Sequence, residues 1–175
     1  MSPLRVLTAF ILFVVCAHTA IAAPIPPYID PAHVAVLQRW LEVNPSYRVA
    51  TDVDCSCEDD IKRMRYSQQG AWRANPNYHP YYVIGDFNWD GISDFAVGVV
   101  RAGNAKQFQV VVFHGPFGPR HRARAAFVSE PLNLGQGLFF GDPRPLPHML
   151  LVGAFESEGA TLRPSPSGYV WEYPK

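Results

Sequence analysis

The chain has 175 residues, 48% of them hydrophobic, with Lys plus Arg and Asp plus Glu both at 15. Such a composition excludes an intrinsically disordered chain, and the even charge removes the electrostatic footprint on which nonspecific nucleic-acid binding depends. The length suits one domain that can bury a core without disulfide staples.

Residues 1–22 read as a secretory signal peptide, with Arg5 in the basic n-region, an apolar run over 7–15 and the small-x-small end Ala20-Ile21-Ala22. Cleavage after Ala22 leaves Ala23 first, whereas cleavage one residue later would leave Pro24 there. Cys16 does not make a lipoprotein signal, because Val15 stands where a small residue is required. The apolar run is shorter than the roughly 20 residues of a spanning helix, and no later stretch comes closer. The expected product is a secreted or periplasmic domain, 23–175, with no transmembrane segment. Losing Arg5 takes the 15 basic residues to 14 against 15 acidic ones, a net charge of −1.

After a Pro-rich lead-in, Asp30 and Pro31 supply an N-cap and a first helical position. Val34, Leu37, Trp40 and Leu41 then share one face of a helix that ends near Asn44-Pro45, with His33 expected as a solvated histidine by its first turn. A short strand is expected at 47–50. The acidic stretch that follows, DVDCSCEDD, has the outline of a second cation loop, but Cys57 occupies the place of the turn glycine. The preferred reading is Ser56 capping a helix over 57–66, with Glu58, Asp59 and Asp60 in its first turn, Lys62, Arg63 and Arg65 towards its end, and Ile61, Met64 and Arg65 facing inward. Cys55 and Cys57, exported, either close a tight C-x-C bridge or stay as free or intermolecular thiols. A redox motif would be C-x-x-C, and zinc would need two further ligands.

Residues 68–80 read as a loop with Trp72 and Tyr78 packed back on the domain. The rest is β-rich: 81–84, 94–101, 107–114, 123–129, 137–140, 149–155 and 169–173 are apolar or alternating runs punctuated by Gly, Pro and Asn, with a hairpin turn at Gly103-Asn104. The basic stretch 115–124, with Arg120, His121, Arg122 and Arg124, reads as a solvated loop. Helices first and strands after predict an α+β fold, two N-terminal helices packed on a mostly antiparallel β-sheet.

The stretch with the most chemical content is 81–98, YYVIGDFNWDGISDFAVG. Counting from Asp86, ligand-bearing residues fall at alternate positions: Asn88 third, Asp90 fifth, the Ile92 carbonyl seventh and Asp94 ninth, with Gly91 sixth to permit the sharp turn. Three carboxylates and an amide are hard oxygen donors suited to calcium rather than zinc or copper. Val97 stands where an EF-hand requires a bidentate Glu, and strand-period flanks replace the EF-hand helices. A metal-free turn rich in Asp, Asn and Gly is the competing reading.

Residues 85–98, GDFNWDGISDFAVG, resemble the calcium loop of FG-GAP or VCBS-type repeats, approximately G-D-x-N-x-D-G-x-x-D-x-x-x-G. The resemblance implies calcium held by Asp86, Asn88, Asp90 and Asp94 with the Ile92 carbonyl. It covers a single copy, so a full propeller is not implied, and Trp89 replaces the Gly or small polar residue usual at its position. The functional expectation is an exported, non-catalytic module with a calcium-stabilised β-loop, binding a protein or glycan partner, with Trp89, Trp72 and nearby Tyr as a possible surface. The alternative is a secreted hydrolase using His79 or His114 as an acid or base. The sequence holds no G-x-S-x-G, H-E-x-x-H or phosphate-cradling glycine loop.

Overall fold

The computed structural model describes residues 24–68, 73–118, 124–140 and 144–174. The signal peptide, Trp72, Arg120, His121 and Arg122 lie outside the described residues.

Helix α1 (Pro31–Val43) starts where Asp30 accepts the Ala32 N–H and Pro31 presets φ. It stops where Asn44 turns its side chain onto the Trp40 carbonyl and Pro45 follows. Its buried face is His33, Val36, Leu37, Trp40 and Leu41, the i, i+3, i+4, i+7, i+8 pattern of an amphipathic helix. His33, expected in solvent, is 5% exposed. The burial is stabilised by Tyr82, whose hydroxyl meets His33 Nδ1 at 2.7 Å, and by Phe95, stacked on the imidazole at 4.2 Å.

Strand β1 (Tyr47–Val49) leads to a short helix α2 (Asp52–Cys55) and then to α3 (Glu58–Tyr66). Ser56 does not cap α3 as expected. It closes α2 in the left-handed region (φ 51°), and Cys57 takes the N-cap position without a side-chain bond. The α2 turn is held by Asp54, which accepts from Thr51 N and Oγ1 and from both terminal nitrogens of Arg48, at 2.8 and 2.6 Å. The Arg48 guanidinium keeps the Asp54 carboxyl below the usual range, against the opposing effect of burial. Cys55 and Cys57 are joined in a disulfide with a Cα separation of 5.1 Å, which selects the bridge among the sequence alternatives.

All ladders are antiparallel. In the first sheet β3 (Asp94–Arg101) and β4 (Asn104–Phe113) form the centre. The free edge of β3 is shared by β2 (Tyr82–Gly85) and β1, and that of β4 by β5 (Phe127–Val128) and β6 (Leu132–Asn133). The second sheet is a meander of β7 (Gln136–Phe139), β8 (Leu150–Ala154), β9 (Ala160–Ser165) and β10 (Gly168–Glu172).

The pleat of β3 and β4 sorts their side chains onto two cores. Phe95, Val97, Val99, Val111 and Phe113 face α1, while Ala96, Val100, Val110 and Val112 face Leu138, Leu150, Val152 and Leu162 of the second sheet. Burial on both faces accounts for the unbroken apolar stretch 95–100, beyond the strand-period alternation of Phe95, Val97 and Val99. The α+β class with antiparallel sheets is as expected, but the expected pair of helices on one sheet is corrected. Of the described helices α1 covers the outer face of the first sheet, a second sheet covers the other, and Ile61 of α3 joins that inner core. Tyr78 is buried, as expected. Among the described residues no helix is long and apolar enough to cross a membrane.

Candidate functional site

The acidic loop spans 86–93 between β2 and β3, which pair in register up to Gly85↔Asp94. Both ends of the loop are therefore fixed by one ladder. Gly91 has φ 83°, the left-handed region where a side chain is disfavoured, and Trp89 enters the same region at φ 65°. That conformation explains why Gly or a small polar residue suits position 89. Trp89 is offset by a bond from its indole N–H to the His148 carbonyl at 3.1 Å, and its ring remains half exposed.

The side chains curl onto the backbone between them. Asp86 Oδ1 accepts the Asp90 N–H and Oδ2 the Gly91 N–H, each at 3.0 Å. Asn88 Oδ1 accepts the Asp90 N–H at 3.1 Å and its amide donates to Asp90 Oδ2 at 2.8 Å. Asp90 Oδ1 accepts the Ile92 N–H at 2.8 Å. Asp86, Asn88, Asp90 and Ile92 thus form one connected turn. Asp94 stands apart from it, with Oδ2 on the Phe87 N–H at 2.9 Å and Oδ1 on the Gly115 N–H at 3.0 Å.

Asp86 and Asp94 are 1% and 0% exposed. Burial raises the Asp94 pKa above the carboxylate range, and the neighbouring Asp90 charge adds to that, against the lowering effect of Gly115, His114 and Phe87. The Tyr169 hydroxyl, raised first by burial, is also raised by the charges of Asp94, Asp86 and Asp90, so the field of all three carboxylates falls on one point. His114 Nε2 meets that hydroxyl at 2.6 Å. From the other side His148 Nε2 lies 3.4 Å from Asp86 Oδ2, while its Nδ1 takes the Arg144 guanidinium at 2.8 Å.

Among the described residues, no group of three or more His, Cys, Asp and Glu side chains sits where it could hold a metal ion as arranged. A calcium shell draws also on amide and backbone carbonyl oxygens, such as those of Asn88 and Ile92. The chemistry of the donor set fits a hard cation: it is all oxygen, with two carboxylates withdrawn from water in one short loop.

The surroundings of the loop come from distant chain. Pro147 O accepts the Asp86 N–H at 2.8 Å, so the segment 144–148 is tied to the start of the loop. His148, Pro147 and Tyr169 have no signature in the sequence, since nothing local relates them to the loop. His114, one of the two candidate bases, joins this neighbourhood. His79, the other, lies elsewhere, with Nδ1 3.0 Å from Asp52 Oδ1.

Comparison with protein-family models, with curated proteins and with solved structures returned no match.

Proposed function

We propose that the chain is an exported, non-catalytic module whose 86–94 loop takes one calcium ion, and that it serves as a binding or interaction protein of the cell envelope or exterior. Residues 1–22 would be removed on export. The observation that carries the loop reading is the pair of buried carboxylates, Asp86 and Asp94, joined by Asp90 within nine residues around the Gly91 turn. Charges so placed repel one another and are costly to bury without a partner. Asp86, Asn88, Asp90 and Asp94 would hold the ion with the Ile92 carbonyl, in keeping with the FG-GAP or VCBS-type resemblance of 85–98. Calcium would offset most of the loop's negative charge and fasten the β2 end to β3. The test is calorimetric titration of calcium into chelator-stripped protein, where heat saturating at one ion per chain is expected and its absence refutes the reading.

A second reading, a secreted hydrolase, draws on one observation. Asp52 Oδ1 lies 3.0 Å from Nδ1 of His79, an Asp–His contact of the kind that orients a general base. Replacing His79 and His114 by Ala in an activity screen on peptidoglycan, polysaccharides and esters separates the two. Loss of a detected activity in either variant favours the hydrolase, and inactivity of the parent protein on all three favours the module.

A further inference from the structure

A cavity of about 650 Å³ opens between the start of α1, the 75–84 segment and the 144–147 segment. That size is ordinary for a small-molecule site. Its walls include the rings of Tyr28 and Tyr82, and its polar groups include Asp30, Asn77, His79 and Arg144.

The two charged groups are already engaged. Asp30 Oδ1 accepts the Ala32 N–H at the head of α1, and the Arg144 guanidinium lies against His148 Nδ1. These bonds take one oxygen of the carboxylate and one nitrogen of the guanidinium. Of the other polar groups in the wall, His79 is the most firmly positioned.

Asp52 Oδ1 lies 3.0 Å from His79 Nδ1, and the Arg65 guanidinium, 2.6 Å from the other Asp52 oxygen and 3.2 Å from the same Nδ1, fixes the group. Tyr28 stacks on the imidazole at 3.5 Å with the planes 8° apart, which sets the ring's orientation. Nδ1 is taken up by Asp52 and Arg65, and among the described residues nothing bonds to Nε2, the other polar atom of the ring. The His79 side chain is 20% exposed and lines the cavity. Asn77, exposed beside it, adds an amide that both donates and accepts.

A positioned ring nitrogen, an exposed amide and two tyrosines in one cavity match a ring-shaped ligand with hydroxyls on its rim, which both donate and accept, and an apolar face. We propose that this cavity binds a pyranose sugar, with a hydroxyl hydrogen-bonded to His79 Nε2 and the sugar's C–H face against the tyrosine walls. The inference specifies the partner of the binding-module reading and does not rest on the calcium loop.

The experiment is saturation-transfer NMR of the purified protein at neutral pH with methyl β-glucopyranoside, methyl β-galactopyranoside and N-acetylglucosamine, run with calcium and again with excess chelator. At least one sugar is expected to receive saturation at its ring protons in both conditions. His79→Phe keeps the flat ring and removes the Nε2 hydrogen-bonding group, so affinity for that sugar is expected to fall at least about tenfold. Asn77→Ala, at an exposed position, is expected to weaken binding without shifting the thermal midpoint, which keeps the test decisive should His79→Phe fail to fold. No transfer to any of the three sugars by the folded protein overturns the proposal, as does binding that His79→Phe leaves undiminished. A protein that binds calcium but no sugar loses this inference alone, and one that binds sugar but no calcium loses only the loop reading.

Discussion

Asp94, the ninth residue of the acidic loop, accepts the backbone N–H of Gly115 at 3.0 Å, tying the first residue of β3 to the chain just past β4. The other Asp94 oxygen takes the Phe87 N–H, so one buried carboxylate closes two segments at once. Asp94→Ala leaves both donors without an acceptor and is expected to lower stability by about 2–4 kcal/mol. Asp94→Asn keeps one acceptor oxygen and should cost roughly half as much. Urea midpoints measured in chelator check this without any contribution from calcium.

The two glycines that frame the loop should fail for different reasons. At Gly91 an added Cβ meets nothing within 4 Å, but φ is 83°. Gly91→Ala should therefore cost about 1–2 kcal/mol of backbone strain alone. At Gly85 the same atom would stand 2.5 Å from the Pro147 carbonyl oxygen and against the Phe87 ring. Gly85→Ala should cost about 1–3 kcal/mol through overpacking and should speed exchange of the Asp86 amide, which that carbonyl accepts. Amide exchange separates the two variants.

His33 makes stability depend on pH. Burial holds its pKa down to about 4 from the ordinary 6.5, against the small raising effect of Asp30. The unfolded chain then takes the proton first, so the stabilising contribution is complete above pH 6.5 and is lost as pH falls towards 4, up to about 3 kcal/mol. Denaturant unfolding across that window should show the slope, and His33→Phe, which keeps a ring against Phe95, should flatten it.

The bridge between Cys55 and Cys57 closes a very short loop. By chain entropy such a ring is worth only about 1–2 kcal/mol. Replacing both cysteines by Ser should lower stability by that amount and leave the fold intact, with unchanged far-ultraviolet circular dichroism.

Elements whose information is local were legible in the sequence. The apolar runs around 81–84, 94–101 and 107–114 become β2, β3 and β4, and the Asp30-Pro31 start and Asn44-Pro45 stop of α1 are where capping chemistry places them. Strand β9 carries no such signal, because Thr161, Arg163 and Pro164 break the apolar pattern. Pro164 is tolerated because β8 pairs with β9 only through Leu162, leaving the proline beyond that ladder. His33 was misplaced because its partners, Tyr82 and Phe95, are remote in sequence. The candidate loop was readable because its donors are contiguous, whereas Tyr169, His148 and Pro147 reach it only through the packing of the second sheet and the segment before β8.

The decisive measurement is thermal unfolding of chelator-stripped protein with and without calcium, beside the Asp86→Asn and Asp90→Asn variants. For an ion at about one hundred times its dissociation constant the account predicts stabilisation of about 2.7 kcal/mol, seen as a rise in Tm of roughly 5–10 °C, and lost in both variants. A Tm that ignores calcium in the parent protein, or rises equally in both variants, would contradict it.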